Sequence, residues 1–264
     1  MKYCRFVSAE GPKFGLIEDV GGVAHITQLA ADGPIPEFAG DVQKLPKIQL
    51  SSVKFLEPVT PSKIICVGRN YSEHAKELGN EVPTEPLIFL KPPTSIIGPG
   101  KEIVRPKHLS QRVDFEGELT VVIGKPCRNL RPADDVRPYI LGYTCANDVT
   151  ARDLQKKDGQ WTRAKGFDTF CPVGPLVTNE IDPWKGVRVE TRLNGQVKQS
   201  ESTTAFIFSV DVVVRFASQV MTLLPGDIIL TGTPAGIGPM VAGDVVAVSI
   251  EGVGSLTNPV VDCA

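Results

Sequence analysis

Apolar residues in this sequence come in short runs cut by glycine or proline, which number 25 and 22 among 264 residues. Inside a helix a glycine costs about 1 kcal/mol and a proline about 3 kcal/mol relative to alanine, whereas turns between strands use both freely. The punctuation therefore predicts a strand-rich, turn-rich chain, long enough to bury a sizeable core. Three strand-like runs, Tyr3–Ser8, Phe14–Glu18 and Val23–Thr27, open it and suggest a small β-rich unit. A loop over 31–36 follows, and Thr60-Pro61-Ser62 marks a boundary that divides the chain into 1–58 and 59–264. Farther on, Lys63–Gly68 and Ile140–Asn147 read as buried strands, and Val187–Lys198 reads as a hairpin turned by Asn194-Gly195. The segment from Trp161 to Pro175 reads as irregular, and the stretch from Glu81 to Pro93, rich in proline, reads as a lid or an ordered crossing. Phe206–Val220 carries apolar residues at near-helical spacing and is expected to be a core helix.

The stretch Val113–Gly124 carries the chemistry. As one strand it would project Asp114, Glu116 and Glu118 to one face, with Phe115, Leu119 and Val121 on the other. Carboxylates packed so closely repel unless water or a cation neutralises them, and oxygen-only donors suit Mg²⁺, Mn²⁺ or Ca²⁺ rather than zinc. The stretch is thus a candidate metal platform, the plainer alternative being a solvated edge strand whose charges discourage aggregation. Upstream, Ser72 to Gly79 reads as one or two helical turns with Ser72 as N-cap. There His74 and Glu77, three apart, share a face and form a candidate pair for activating water, or an incidental surface pair. Asp148 ends a buried strand, where it is a site position or the N-cap of a following turn. Thr231–Pro239 is a glycine-rich loop without a G-K-[ST] ending; its amides suit a carboxylate better than a nucleotide phosphate.

Other classes are poorly served. A net charge of −2 and a pI near 6.0 give no basic footprint for nucleic acid. Six cysteines lack C-x-x-C spacing, and the three histidines are scattered, which argues against a disulfide scaffold and a zinc site. No G-x-S-x-G elbow is present. The polar N-terminus lacks a signal-peptide run and no segment reaches membrane-spanning length, so a cytoplasmic protein without a membrane partner is expected.

In chain order the motifs G-R-N-Y-x-x-H-x-x-E, F-L-K-P, D-F-E-G-E-L-x-x-V-I-G, N-D-V-T-A-R-D-x-Q, A-K-G-F-D and I-L-T-G-T-P-x-G-I-G resemble the fumarylacetoacetate hydrolase family. The likeness covers roughly residues 60–260 and is nearest the short-chain branch of acylpyruvate hydrolases, oxaloacetate decarboxylases and 2-hydroxyhepta-2,4-diene-1,7-dioate isomerases. The resemblance implies an α+β fold, a mixed β-sandwich roll with a small β-rich N-terminal domain, assembled as a homodimer. It implies Mg²⁺ or Mn²⁺, with Ca²⁺ as a substitute, on Glu116, Glu118 and Asp148. By the same resemblance His74, Glu77 and Lys165 are catalytic, and Arg69, Arg152, Gln155 and Thr233 bind a small keto or dioxo acid. Asp114 has no ligand counterpart and is left as a supporting acid. The extra aspartate ligand of the founding enzyme has no match in G-R-N-Y, so the site should be more open and fumarylacetoacetate itself is not the expected substrate. The expected reaction is C–C bond hydrolysis of an acylpyruvate-like 2,4-dioxo acid through a metal-bound pyruvate enolate. Oxaloacetate decarboxylation and dienedioate isomerisation share that enolate and are the alternatives; a metal-dependent acid-binding module is the non-enzymatic one.

Overall fold

Both faces of the central sheet are covered, and this sets where charged groups can be buried. A computed structural model describes residues 1–29, 33–36, 47–79 and 81–264, so the start of the loop expected over 31–36 lies outside the described residues. The chain is a sheet-dominated α+β protein. Strands β1 (Lys2–Ser8), β2 (Gly11–Val20) and β3 (Val23–Leu29) form an antiparallel meander, joined by the short β4 (Lys47–Gln49) and β5 (Phe55–Leu56). The predicted strand Lys63–Gly68 is β6 (Ile64–Gly68), followed by helix α1 (Ser72–Glu77) and β7 (Leu87–Lys91). Within the stretch Glu81–Pro93, Leu87–Lys91 is a sheet strand rather than a lid or plain crossing, pairing antiparallel with β6 along its whole length. The helix N-cap is Tyr71 rather than Ser72, and it makes no side-chain cap bond.

Short strands β8 (Ile96–Ile97) and β9 (Ile103–Arg105) precede β10 (Val113–Phe115), β11 (Gly117–Ile123), β12 (Ile140–Asn147) and β13 (Thr150–Ala151). Helices α2 (Arg152–Asp158) and α3 (Thr162–Lys165) lead to β14 (Cys171–Thr178), so the segment expected to be irregular holds a helical turn and the start of a core strand. The Asn194-Gly195 turn joins β15 (Arg188–Leu193) to β16 (Gln196–Ser202), both turn residues having positive φ. After helix α4 (Val210–Val220) come β17 (Ile228–Leu230), β18 (Gly238–Pro239), β19 (Val245–Ile250) and β20 (Gly254–Asp262).

The large mixed sheet runs β4-β3-β2-β1-β14-β12-β11-β17-β6-β7; a second sheet runs β16-β15-β19-β20-β9, and a small one β13-β10-β18. β1 pairs with β14 at Lys2↔Thr178 and Tyr3↔Val177, so the N-terminal meander extends the large sheet. On β11, Leu119, Val121 and Ile123 face a core built with Val189, Val248 and α4, while Val122 faces a second core with Ile64, Val173 and Ile228. Every residue of β11 is buried, so a charged side chain there must find partners inside. Among the described residues no helix is long and apolar enough to cross a membrane.

Helix α4 buries Val210, Val213, Val214 and Ala217, the i, i+3, i+4, i+7 pattern of one face. Its first-turn Asp211 accepts from Trp184 Nε1 at 3.0 Å and from Ser209 Oγ at 2.6 Å, and pairs with Arg215. Burial raises this carboxyl, but the bonds from Ser209, Trp184 and Arg215 outweigh it and hold the pKa at about 2, below the ordinary 3.8. Because the folded value is the lower one, the stabilisation is full above the unfolded value and is lost as pH falls toward about 2. Asp211→Ala is expected to cost about 1–2 kcal/mol at pH 7 in urea unfolding, with the deficit shrinking as acid protonates Asp211 in the parent protein.

Candidate active site

The acidic stretch is two strands, and the break between them builds the site. β10 belongs to the small sheet, pairing with β13 and β18, whereas β11 lies in the large sheet between β12 and β17. The chain leaves one ladder and enters the other at Glu116, whose N–H donates to Asn147 Oδ1 at 2.9 Å and whose carbonyl accepts from Asp148 N at 2.8 Å. A Cβ at Gly117 would stand 2.0 Å from Thr191 Oγ1 of the second sheet, so only glycine fits this crossing. The crossing brings one carboxylate oxygen each of Glu116, Glu118 and Asp148 within 4.8 Å of one another, all three residues buried.

Asp114 stands apart from this cluster, which corrects the reading of three equivalent acids on one strand face. Its carboxylate accepts from Arg112 Nε at 2.9 Å and from Arg152 Nε at 2.9 Å. Another arm of Arg152 pairs with Glu116, and its Nη1 donates to Gln155 Oε1 at 2.7 Å. Arg152 is therefore a wedge between Asp114 and the cluster, with all its arms on protein groups. Asp148, for its part, caps no helix, since α2 starts at Arg152 with Ala151 as N-cap.

Two buried ammonium groups complete the cluster. Lys165 Nζ, brought in by α3, donates to Glu116 Oε2 at 2.8 Å and to Asp148 Oδ2 at 2.7 Å. Lys91, at the end of β7, donates to Asp148 Oδ1 at 2.6 Å and to the Val149 carbonyl at 3.1 Å. Burial alone would push the Glu116 carboxyl up, but Lys165 and then Arg152 pull it far below the usual range. Burial likewise opposes charge on Lys165, yet Asp148 and Glu116 keep its ammonium above its ordinary pKa. Glu118 behaves oppositely: burial, then Asp148 and Glu116, hold its carboxyl well above normal, and among the described residues it makes no ion pair. A buried oxygen-only cluster with one under-compensated carboxylate fits a hard divalent cation, which these three residues could hold.

The histidine pair overlooks the same cavity. α1 sets His74 Nδ1 3.2 Å from Glu77 Oε2, and the other Glu77 oxygen accepts from Gly236 N at 3.1 Å. In the same glycine-rich loop, Gly232 N donates to Glu118 Oε2 at 2.6 Å, so the anions its amides approach include two of the protein's own carboxylates. A cavity of about 200 Å³ is lined by His74, Lys165, the three clustered acids and Arg152, and also by Arg69, Gln155 and Thr233. Glu77 stands behind His74 rather than in the wall. Thr233 Oγ1 donates to the Gly117 carbonyl at 2.9 Å and accepts from Gln199 Nε2 at 2.7 Å, which fixes its orientation.

Sequence reading gave no role to Lys91, Phe89 or Trp161. Lys91 has a signal in hindsight: it is a lone cation closing the apolar run Leu87–Leu90, inside the F-L-K-P motif. Phe89 and Trp161 meet edge to face at 5.1 Å between centroids, and the Lys165 ammonium lies 5.0 Å over the Phe89 ring.

Comparison with known proteins gives this arrangement a context. A family model for the fumarylacetoacetate (FAA) hydrolase C-terminal region matches residues 63–261. The structure of 5-carboxymethyl-2-hydroxymuconate delta-isomerase from Mycobacterium smegmatis superposes with a TM-score of 0.89 at 45% identity, covering 100% of both chains. Maleylpyruvate hydrolase from Sphingobium sp. SYK-6, solved in complex with manganese(II) ion and pyruvate, gives a TM-score of 0.80 at 31% identity, again over 100% of both chains. The mitochondrial oxaloacetate tautomerase Fahd2a of Rattus norvegicus is 46% identical across 83% of this chain and 72% of its own. With the family match spanning most of its length, the chain belongs to the fumarylacetoacetate hydrolase family of enzymes.

Proposed function

We propose that the protein is a divalent-cation-dependent enzyme that forms the enolate of a 2-oxo acid, and that its reaction is hydrolysis of the C–C bond in an acylpyruvate-like 2,4-dioxo acid. The observation that carries this reading is the convergence of a buried three-carboxylate cluster, a buried charged lysine and a histidine–glutamate pair on one small cavity. Glu116, Glu118 and Asp148 would hold the cation, Mg²⁺ or Mn²⁺, and the manganese in the maleylpyruvate hydrolase structure supports that choice. When bound, such an ion polarises a 2-oxo oxygen and lowers the energy of negative charge growing on it.

The protein's own groups do the rest. With Nδ1 turned to Glu77, His74 has Nε2 left to take a proton from water. The water oxygen bonds to the distal carbonyl carbon, the C3–C4 bond breaks, and its electron pair passes into the pyruvate half as an enolate. The Lys165 ammonium supplies fixed positive charge beside the developing oxyanion. His74 then returns the proton to C3, giving pyruvate and a carboxylic acid. His74→Ala is expected to slow this hydrolysis by roughly 100-fold or more, the size of a general-base contribution. Loss of CO₂ from oxaloacetate needs no attacking water and should fall much less; equal losses on the two substrates would count against water activation.

A second reading, enol–keto exchange of oxaloacetate, is favoured by the 46% identity to the oxaloacetate tautomerase. There His74 carries a proton between C3 and oxygen, and no water enters. Pyruvate release from acetylpyruvate and decay of the oxaloacetate enol absorbance, each with Mg²⁺ and again with chelator, distinguish the two. Activity on neither substrate with Mg²⁺ present would overturn the proposal.

A further inference from the structure

β16 is an edge strand of the second sheet that buries one residue, and that residue is a glutamine. Gln199 lies beside its cross-strand partner Thr191, and both side chains close on Gly117 at the crossing between the two acidic strands. A polar side chain inside a fold needs its donors and acceptors met, and here they all are. Gly117 N donates to Gln199 Oε1 at 3.0 Å, Gln199 Nε2 donates to Thr233 Oγ1 at 2.7 Å, and Thr233 Oγ1 donates to the Gly117 carbonyl at 2.9 Å. The circuit starts and ends on one glycine. The second Nε2 proton goes to the Pro234 carbonyl at 2.7 Å. Only an amide can accept at one end and donate twice at the other; a glutamate lacks the donors, and an apolar side chain of the same size lacks everything.

The glycine so held lies between two of the clustered acids. Its N–H belongs to the peptide that follows Glu116 and its carbonyl to the peptide that precedes Glu118, so the circuit fixes both peptide planes between them. Through Pro234 the same glutamine steadies the loop whose Gly232 N donates to Glu118 Oε2. None of the Gln199 bonds goes to a clustered carboxylate. Thr233 lines the cavity, but its one hydroxyl proton is given to Gly117 and is not available to a bound anion. We infer that Gln199 is a positioning residue for the acidic cluster, setting the spacing of Glu116 and Glu118 through the Gly117 peptides and Thr233, and that the Thr233 hydroxyl serves the same end. This inference rests on the reading of the cluster as the cation site.

The test titrates Mn²⁺ calorimetrically into the full-length protein without substrate and records each variant's melting temperature without the ion. Gln199→Leu is expected to weaken Mn²⁺ binding roughly 10- to 100-fold, the usual loss when a group supporting a metal ligand is removed. Thr233→Val breaks the circuit from the cavity side and should weaken it to a similar extent, so it carries the test if Gln199→Leu does not fold. Thr233→Ser keeps the hydroxyl and should stay within about twofold of the parent protein. A threonine that served only the substrate would leave Mn²⁺ affinity unchanged in both Thr233 variants. Thr203→Val is the control: Thr203 is a buried threonine at the end of β16 that bridges Val187 N and the Pro183 carbonyl away from the cavity wall. It should lower the melting temperature and leave Mn²⁺ affinity within about twofold. Unchanged affinity in Gln199→Leu or Thr233→Val overturns the positioning role, as does an equal loss in Thr203→Val. Failure of the parent protein to bind Mn²⁺ overturns the reading of the cluster itself.

Discussion

Glu116→Ala is expected to abolish calorimetrically detectable Mg²⁺ or Mn²⁺ binding and to lower turnover by about a thousandfold or more, since several kcal/mol of charge stabilisation goes with the cation. The substitution removes one of three clustered carboxylates and also leaves Arg152 and Lys165 without the acid they share. Two buried cations then face each other with less compensation, so a loss of stability of about 3–5 kcal/mol accompanies the loss of activity. Glu116→Gln keeps the volume and some hydrogen bonding, and it separates the two effects: a variant that folds, fails to bind the ion and fails to turn over substrate supports the ligand assignment. Retained cation-dependent turnover in either variant would sink it.

Lys165→Met should produce the opposite split. Removing an ammonium that lies 2.8 Å from Glu116 and 2.7 Å from Asp148 takes away a competitor for the same oxygens. The affinity for a divalent cation is therefore expected to hold or rise, while kcat falls roughly 100- to 1000-fold, the size of a lost charge-stabilising donor. Without the ion the variant should be less stable than the parent protein, because Glu116 and Asp148 keep their mutual repulsion but lose the lysine between them. Adding Mg²⁺ should return much of that stability, readable as a rise in melting temperature larger than the parent protein shows. A parallel drop in cation affinity and kcat would instead make Lys165 part of the binding site for the ion.

Local pattern was enough wherever a segment's own residues decide its state. Ile140–Asn147 has the bounds its apolar run suggested, and Asn194-Gly195 turns its hairpin with the positive φ that such turns require. Helix α4 begins four residues later than its apolar spacing suggested, because Ser202 caps a short 3₁₀ turn over Thr203–Ala205 and Phe206 bridges to Tyr71. The break at Glu116 was not legible, since Val113–Glu118 alternates as a continuous strand should. What interrupts it comes from far away: the Asn147 side chain takes the Glu116 N–H, and Thr191 of another sheet closes on Gly117. Lys91 was hidden for a similar reason. A lysine on a short strand between prolines reads as surface charge until β7 is seen to carry it beneath Asp148. The clustered acids and the His74–Glu77 pair were singled out by the motifs shared with the family, since residue type and spacing alone left a solvated edge strand and an incidental surface pair open; the ion pairs around the acids depend on contacts spanning the chain.

The loop from Gly232 to Gly236 gives the site a shared anchor. One of its amides holds Glu118 of the acidic cluster, and another holds Glu77, which in turn orients His74. In the proposed mechanism, proton transfer and cation binding would both be positioned from this one segment, and a displacement of the loop would shift both together. The loop cannot drift easily, because a Cβ at Gly236 would stand 2.0 Å from the Lys198 carbonyl. Two hydrogen bonds of one short backbone segment thus hold the His74–Glu77 pair and the acidic cluster in mutual alignment.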